Sequence, residues 1–280
     1  MADQLSLFDA QEARSLLDQL IAESRLYKTS KDYKELLDFV IRLRHMAPFN
    51  AMLLQIQKPG LKYAMSARNW REKFGRFPKE GTRPLVIMRP FAPVDFVYDV
   101  VDTEGADLPR DVFAFTAIGS LDAASFDRFK ALLARKGINW FEVDQGDAHA
   151  GLVRILSRSE EVGNTYRINI NKNHTPPTQF ATLAHELGHV FLGHLGRDKK
   201  LKIKDRTYKA DDMMEIEAES VAHIVCKRIG IEPQSLNYLS SFVENEQEIE
   251  ELDIYAILVA AGAVENLLEL NPKVFRARME

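Results

Sequence analysis

One cysteine occurs in 280 residues. No internal disulfide can form, and Cys226 sits among Val221, Ala222, Ile224 and Val225, where a buried structural thiol is expected. That usage suits a reducing compartment, so the expected location is the cytoplasm. Long apolar runs are missing too. The longest, around Ile254 to Val264, is too short and too closely flanked by acids to span a bilayer. Residues 1–10 lack the basic-then-apolar pattern of a secretory signal, and no membrane association is expected. The absence of internal repeats and low-complexity tracts argues against solenoids and compositionally disordered chains.

What is present is a chain with 46% hydrophobic residues, enough to bury one large core or two modest ones, and its length favours two domains. Charge is unevenly spread. The net charge is -4, yet Ile21 to Pro90 holds 15 Lys/Arg against 6 Asp/Glu, so the rest of the chain is strongly acidic.

Helical spacing marks Leu16, Leu17, Leu20 and Ile21, then Leu36, Leu37, Val40, Ile41 and Leu43. Pro48 breaks the second of these helices, a short helix through Ala51 to Gln57 follows and is ended by Pro59-Gly60, and Ser66 caps another carrying Trp70 and Phe74. Leu85 to Met88 and Val94 to Val101 read as strands. The stretch Asp102 to Arg110 is the expected domain boundary, giving a flexible tail at 1–11, an α+β domain at 12–108 and a second domain at 109–280. The second domain begins with a helix from Ala123 to Arg135 and a strand at Asn139 to Val143. A hairpin follows, with arms Gly151 to Ser157 and Thr165 to Asn171, the latter alternating Tyr166, Ile168 and Ile170 with polar residues. Helices are then expected from Pro176 to Gly193 or Gly196, from Asp211 or Asp212 to Gly230, and from Tyr255 to Leu268.

Within the first of these helices the sequence reads His185-Glu186-Leu187-Gly188-His189. Two histidines four apart stand one turn from each other on one face and can hold a single ion, for which zinc is the expected cofactor. Glu186 lies to the side of that face, placed to act on a water rather than to ligate. A catalytic zinc site also needs a third protein ligand and an open position. The next helix offers Glu215, Glu217 and Glu219. Glu215 and Glu219 share a face, whereas Glu217 is turned away by about 200°. Glu215 is therefore the expected third ligand and Glu219 a carboxylate that fixes a ligand histidine's tautomer from behind. Glu217 reads as a solvated surface acid, and His174 and His194 as surface residues. Tyr208, His223 and Tyr238 are all candidate oxyanion donors, and the sequence leaves the three open.

With Glu215-Ile216-Glu217-Ala218-Glu219 after the two-histidine helix, the chain resembles the ImmA/IrrE-type metallopeptidases, a zincin family. There, the resemblance implies, the first glutamate is the ligand and the last residue of the five supports the site. The N-terminal succession Pro48-Phe49-Asn50-Ala51-Met52-Leu53-Leu54, Trp70, Phe74-Gly75, Lys79-Glu80-Gly81 and Tyr98-Asp99-Val100-Val101-Asp102-Thr103 resembles ArdC-like N-terminal domains, and Glu219 also fits that comparison. The resemblance implies a single-stranded-DNA-binding α+β domain followed by a zincin-like metallopeptidase domain.

Cations interleaved with aromatics suit single-stranded DNA, because the cations track phosphates while aromatic faces stack bases. Lys62, Arg68, Trp70, Arg71, Lys73, Arg76 and Lys79 are the candidate contacts, with Tyr63, Phe74 and Phe77 among them. Gln4-Leu5-Ser6-Leu7-Phe8 is similar to the peptides with which bacterial DNA-processing proteins dock on the replicative sliding clamp, with Gln4, Leu5, Leu7 and Phe8 as its anchors. The expected function is zinc-dependent hydrolysis of a protein partner near DNA, with Glu186 activating a zinc-bound water. The alternative is a single-stranded-DNA-binding antirestriction or protective protein whose metal domain is mainly structural.

Overall fold

In the computed structural model, residues 29–89, 94–108, 121–144, 150–232 and 252–270 are described. Helices and short strands are mixed, the expected α+β class. The expected helix around Leu16 to Ile21, the peptide Gln4 to Phe8 and Tyr238 lie outside the described residues. The chain divides into one unit within Asp38–Thr116 and another within Lys28–Leu37 plus Ala117–Glu280. Among the described residues no helix is long and apolar enough to cross a membrane.

Helix α1 spans Ser30–Arg42, and its residues up to Leu37 group with the C-terminal unit. In the N-terminal unit α2 (Pro48–Gln57) starts on a proline, whose missing N–H is harmless in a first turn. Helix α3 (Ala67–Phe74) starts where the Ser66 side chain accepts from the Asn69 amide, and it ends at Gly75 with φ 59°. The strands are β1 (Ala64–Met65), β2 (Arg76–Pro78), β3 (Leu85–Ile87), β4 (Asp95–Asp99) and β5 (Thr103–Gly105). They form an antiparallel sheet β1-β4-β3 and a ribbon β2-β5. The strand expected to run to Val101 stops two residues early, because Val100–Asp102 makes one turn of 3-10 helix that redirects the chain into β5.

In the C-terminal unit α4 (Ala123–Ala134) leads into β6 (Ile138–Val143), β7 (Gly151–Ser157) and β8 (Thr165–Asn171). The sheet order is β6-β8-β7, with β8 central, parallel to β6 and antiparallel to β7. The period-two pattern of β8 is realised, since Tyr166, Ile168 and Ile170 are buried. Helices α5 (Pro176–Leu192), α6 (Asp211–Ile229) and α7 (Ile254–Leu267) pack with one another, and α5 also packs on β7 and β8.

The packing of α5 on α6 rests on the absence of a side chain. A Cβ at Gly188 would lie 3.2 Å from both the Cα and the carbonyl oxygen of Ala218, and 3.4 Å from its Cβ. Glycine against alanine lets the two backbones approach closely at the level of the histidines. Replacing Gly188 with valine is expected to destabilise the unit by about 1–3 kcal/mol through overpacking. Denaturant titration of the full-length protein, followed by circular dichroism, measures this.

Candidate metal centre

Two neighbouring helices bring the polar cluster together. Helix α5 supplies His185 and His189, whose Nε2 atoms lie 3.1 Å apart, and α6 brings the Glu215 carboxylate across both. Glu215 Oε2 is 3.3 Å from His185 Nε2, and Oε1 is 3.4 Å from His189 Nε2. An ion with bonds of about 2.0–2.1 Å at tetrahedral angles would separate its donor atoms by about 3.3 Å. The donor set thus has both the chemistry and the spacing for one divalent cation, and it is the one group of this kind among the described residues. The Glu215 side chain is 46% exposed, so the cluster is open on that side.

Acids surround the two imidazoles and shift the titration of His185. Burial would push the His185 imidazolium down, but hydrogen bonds with Glu215 and Glu219 and the charge of Glu186 raise it to about 10. Hydrogen bonds from His185 and then His189 hold the Glu215 carboxyl well below the ordinary carboxylate range. A divalent cation held by these atoms would take the place of a proton.

Glu186 stands apart from the donor set. It is buried, and burial pushes its carboxyl up, while the nearby histidines and the Val153 amide, which hydrogen-bonds it, act in the opposite direction. Strand β7 comes close here, since a Cβ on Gly151 would lie 3.2 Å from Glu186 Oε1 and 2.5 Å from Thr182 Cγ2.

Behind the metal-facing atoms, Glu219 Oε2 is 3.3 Å from His185 Nδ1. Glu215 and Glu219 therefore meet opposite nitrogens of the same ring, as expected of two acids one helical turn apart.

Two sequence readings are corrected. Glu217 is no surface acid but is 0% exposed, and His194 is buried with it, its Nε2 3.0 Å from Glu217 Oε2. Pointing away from the metal does not place Glu217 in water, because α6 is covered on that side too, by the connector after α5 and the start of α7. Arg206, Lys209 and the Asp253 amide all reach Glu217 Oε1. His194 was legible in the local pattern. Gly193 adopts φ 79°, and the amides of Gly193 and His194 bond back to Val190 and His189, a helix ending that folds the residue after the glycine against the last turn.

Among the oxyanion candidates, Tyr208 is 77% exposed and His223 is partly buried on α6. On α3, Arg68, Arg71 and Lys73 are exposed, Arg68 paired with Glu72 at 2.8 Å, and Lys62 is exposed in the loop before it. Arg76 bonds Thr103 and Ala106, stitching β2 to β5, and Lys79 Nζ bonds the Val101 carbonyl at 2.9 Å. Trp70 differs from its expected role as a stacking platform. It is 0% exposed, with Met65, Val100 and Phe74 around it and its Nε1 donating to the Tyr98 carbonyl at 2.8 Å, so its ring offers no face to a base. Phe77, 52% exposed on β2, is the aromatic of that segment that faces outward.

Metal analysis of purified protein is expected to give one divalent ion per chain for the wild type and none for His189→Ala. Stripping the ion with a chelator should lower the melting temperature of the wild type alone, because an ion that binds only the folded state stabilises it by mass action.

Comparison with known proteins covers most of the chain at low identity. An uncharacterized protein of Bacillus anthracis is 20% identical over 321 residues, an alignment covering 96% of this chain and 53% of the relative. The chain thus spans about half the length of that curated relative. Crystal structures of the antirestriction protein ArdC from plasmid R388 are similar at 18% identity in the metal-free form and 17% in the Mn(II)-bound form. They cover 85% and 89% of this chain and 95% and 99% of theirs, with TM-scores of 0.35 and 0.37. Residues 133–226, which contain both histidines, Glu186 and the three glutamates of α6, match the Peptidase M78 family model, the IrrE N-terminal-like domain, and in this stretch the chain is metallopeptidase-like.

Proposed function

We propose that the protein is a zinc-dependent peptidase that hydrolyses a peptide bond of a protein partner. The observation that carries this is the convergence of His185, His189 and Glu215 at ligand spacing beside a buried carboxylate, Glu186, that is not part of the donor set. Two imidazoles and one carboxylate are a zinc donor set with a place left for water. Zinc held there supplies the charge that polarises a carbonyl and makes a water easier to deprotonate.

The chain's own residues do the rest. Glu186 takes the proton of the attacking water and returns it to the leaving amine. Burial raises its proton affinity, which favours taking up a proton and giving it back. The Val153 amide holds that carboxylate against the start of β7. Among the described residues β7 pairs with β8 alone, so its outer edge can receive an extended peptide as a further strand.

Glu186→Gln is expected to abolish cleavage while leaving metal content and melting temperature near wild type, since Glu186 does not ligate. Undiminished biological activity in that variant would favour the second reading, a DNA-binding antirestriction or protective protein whose metal domain is structural.

The second reading draws on exposed Arg71 and Lys73 and the outward Phe77. We place single-stranded DNA on this surface, with Phe77 in the stacking role first given to Trp70. Replacing Arg71 and Lys73 with alanine should weaken binding to an oligonucleotide and flatten its salt dependence, each lost phosphate contact reducing the slope by about 0.7. Fluorescence anisotropy across a salt series checks this, and Arg76 is left intact because it holds β2 to β5.

A further inference from the structure

His189 has a second partner that the donor set does not explain. Its Nε2 faces Glu215, and its Nδ1 lies 3.0 Å from His194 Nδ1. His194 Nε2 in turn lies 3.0 Å from Glu217 Oε2. The inner two of these three side chains are shielded from water, with His194 and Glu217 at 2% and 0% side-chain exposure.

Only one arrangement of protons satisfies every link when His189 Nε2 is given to a cation. His189 then carries its proton on Nδ1 and donates it to His194 Nδ1. A neutral His194 that accepts there carries its own proton on Nε2 and donates it to Glu217. Glu217 accepts it at Oε2. Its other oxygen receives Lys209 Nζ at 2.7 Å, Arg206 Nη2 at 2.8 Å and the Asp253 amide at 3.2 Å.

The backbone fixes the same geometry. The Gly193 turn folds His194 back on His189, and the connector closes over that turn, with the Arg206 amide donating to the Gly193 carbonyl at 3.0 Å. A Cβ at Gly193 would lie 2.0 Å from the Lys204 carbonyl oxygen, so glycine is required there both by φ and by the approach of the connector.

We propose that His194 and Glu217 are positioning residues that orient His189 and fix its tautomer for the metal, with Arg206 and Lys209 of the basic connector locking the carboxylate at the far end. Each ligand histidine then terminates in a carboxylate of α6, His185 directly at Glu219 and His189 through His194 at Glu217. In the basic stretch Lys199 to Lys209 between the two helices, Arg206 and Lys209 thereby serve as counter-charge to a buried acid. Polar groups behind a metal ligand commonly set its affinity by a factor of about 10–100.

The proposal rests on the metal site read above, and its test separates the two. Full-length apo-protein is titrated with zinc against a chromophoric chelator, as wild type, His194→Phe and His194→Gln. Phenylalanine fills the space without either hydrogen bond, whereas glutamine presents an acceptor and a donor on one planar head. The expected result is a 10–100-fold loss of zinc affinity in His194→Phe and substantial recovery in His194→Gln. Long-range proton–nitrogen spectra of the zinc-loaded wild type should show His189 protonated on Nδ1 and His194 protonated on Nε2, whatever the folding of the variants. Wild-type affinity in His194→Phe, equal losses in both variants, or His194 carrying its proton on Nδ1 would each overturn the relay while leaving the metal site standing. Failure of the wild type to bind zinc would overturn both.

Discussion

Close contact between α5 and α6 is the constraint from which the site follows. Imidazole and carboxylate side chains are short, so they meet on one ion only where the two backbones nearly touch. Gly188 against Ala218 provides that approach at the level of His185 and His189. On the histidine helix, residues one turn apart share a face. On the facing helix the same spacing sets Glu215 and Glu219 on either side of one imidazole. Small residues at the contact and polar residues beside it are therefore two parts of one arrangement.

Helix α6 carries acids on two opposite faces, and both are used. Towards α5, Glu215 is half exposed beside the two histidines. On the other side Glu217 is sealed from water and surrounded by a histidine, an arginine and a lysine. An isolated buried carboxylate is costly, and removing one partner from such a cluster leaves the others uncompensated. The connector between α5 and α6 is held in place by this demand, which is why a run of lysines and an arginine that looks like ordinary surface has two of its charges turned inward.

Much of the fold was legible because its signals are local. The Ser66 cap, the glycines closing α3, α5 and α6, and the alternation of β8 are decided by backbone sterics and side-chain period within a few residues. The parallel pairing of β6 with β8 and the ribbon of β2 with β5 depend on segments far apart in the chain and gave no local sign. Trp70 shows the same limit. Its neighbours in sequence are exposed cations, which suggested a stacking surface, but its place on the inward face of α3 was decided by Met65 and Val100.

The sequence by itself determined the pair of histidines at helical spacing, the separate Glu186 and the turning of Glu215 and Glu219 to one side of their helix and Glu217 to the other, because helix geometry converts spacing into direction without knowledge of any neighbour. Direction is not burial, however. Whether the face away from the metal meets solvent or protein depends on what packs there. Only the tertiary structure, which folds the connector and the start of α7 over Glu217, decided that this second acid is part of the interior.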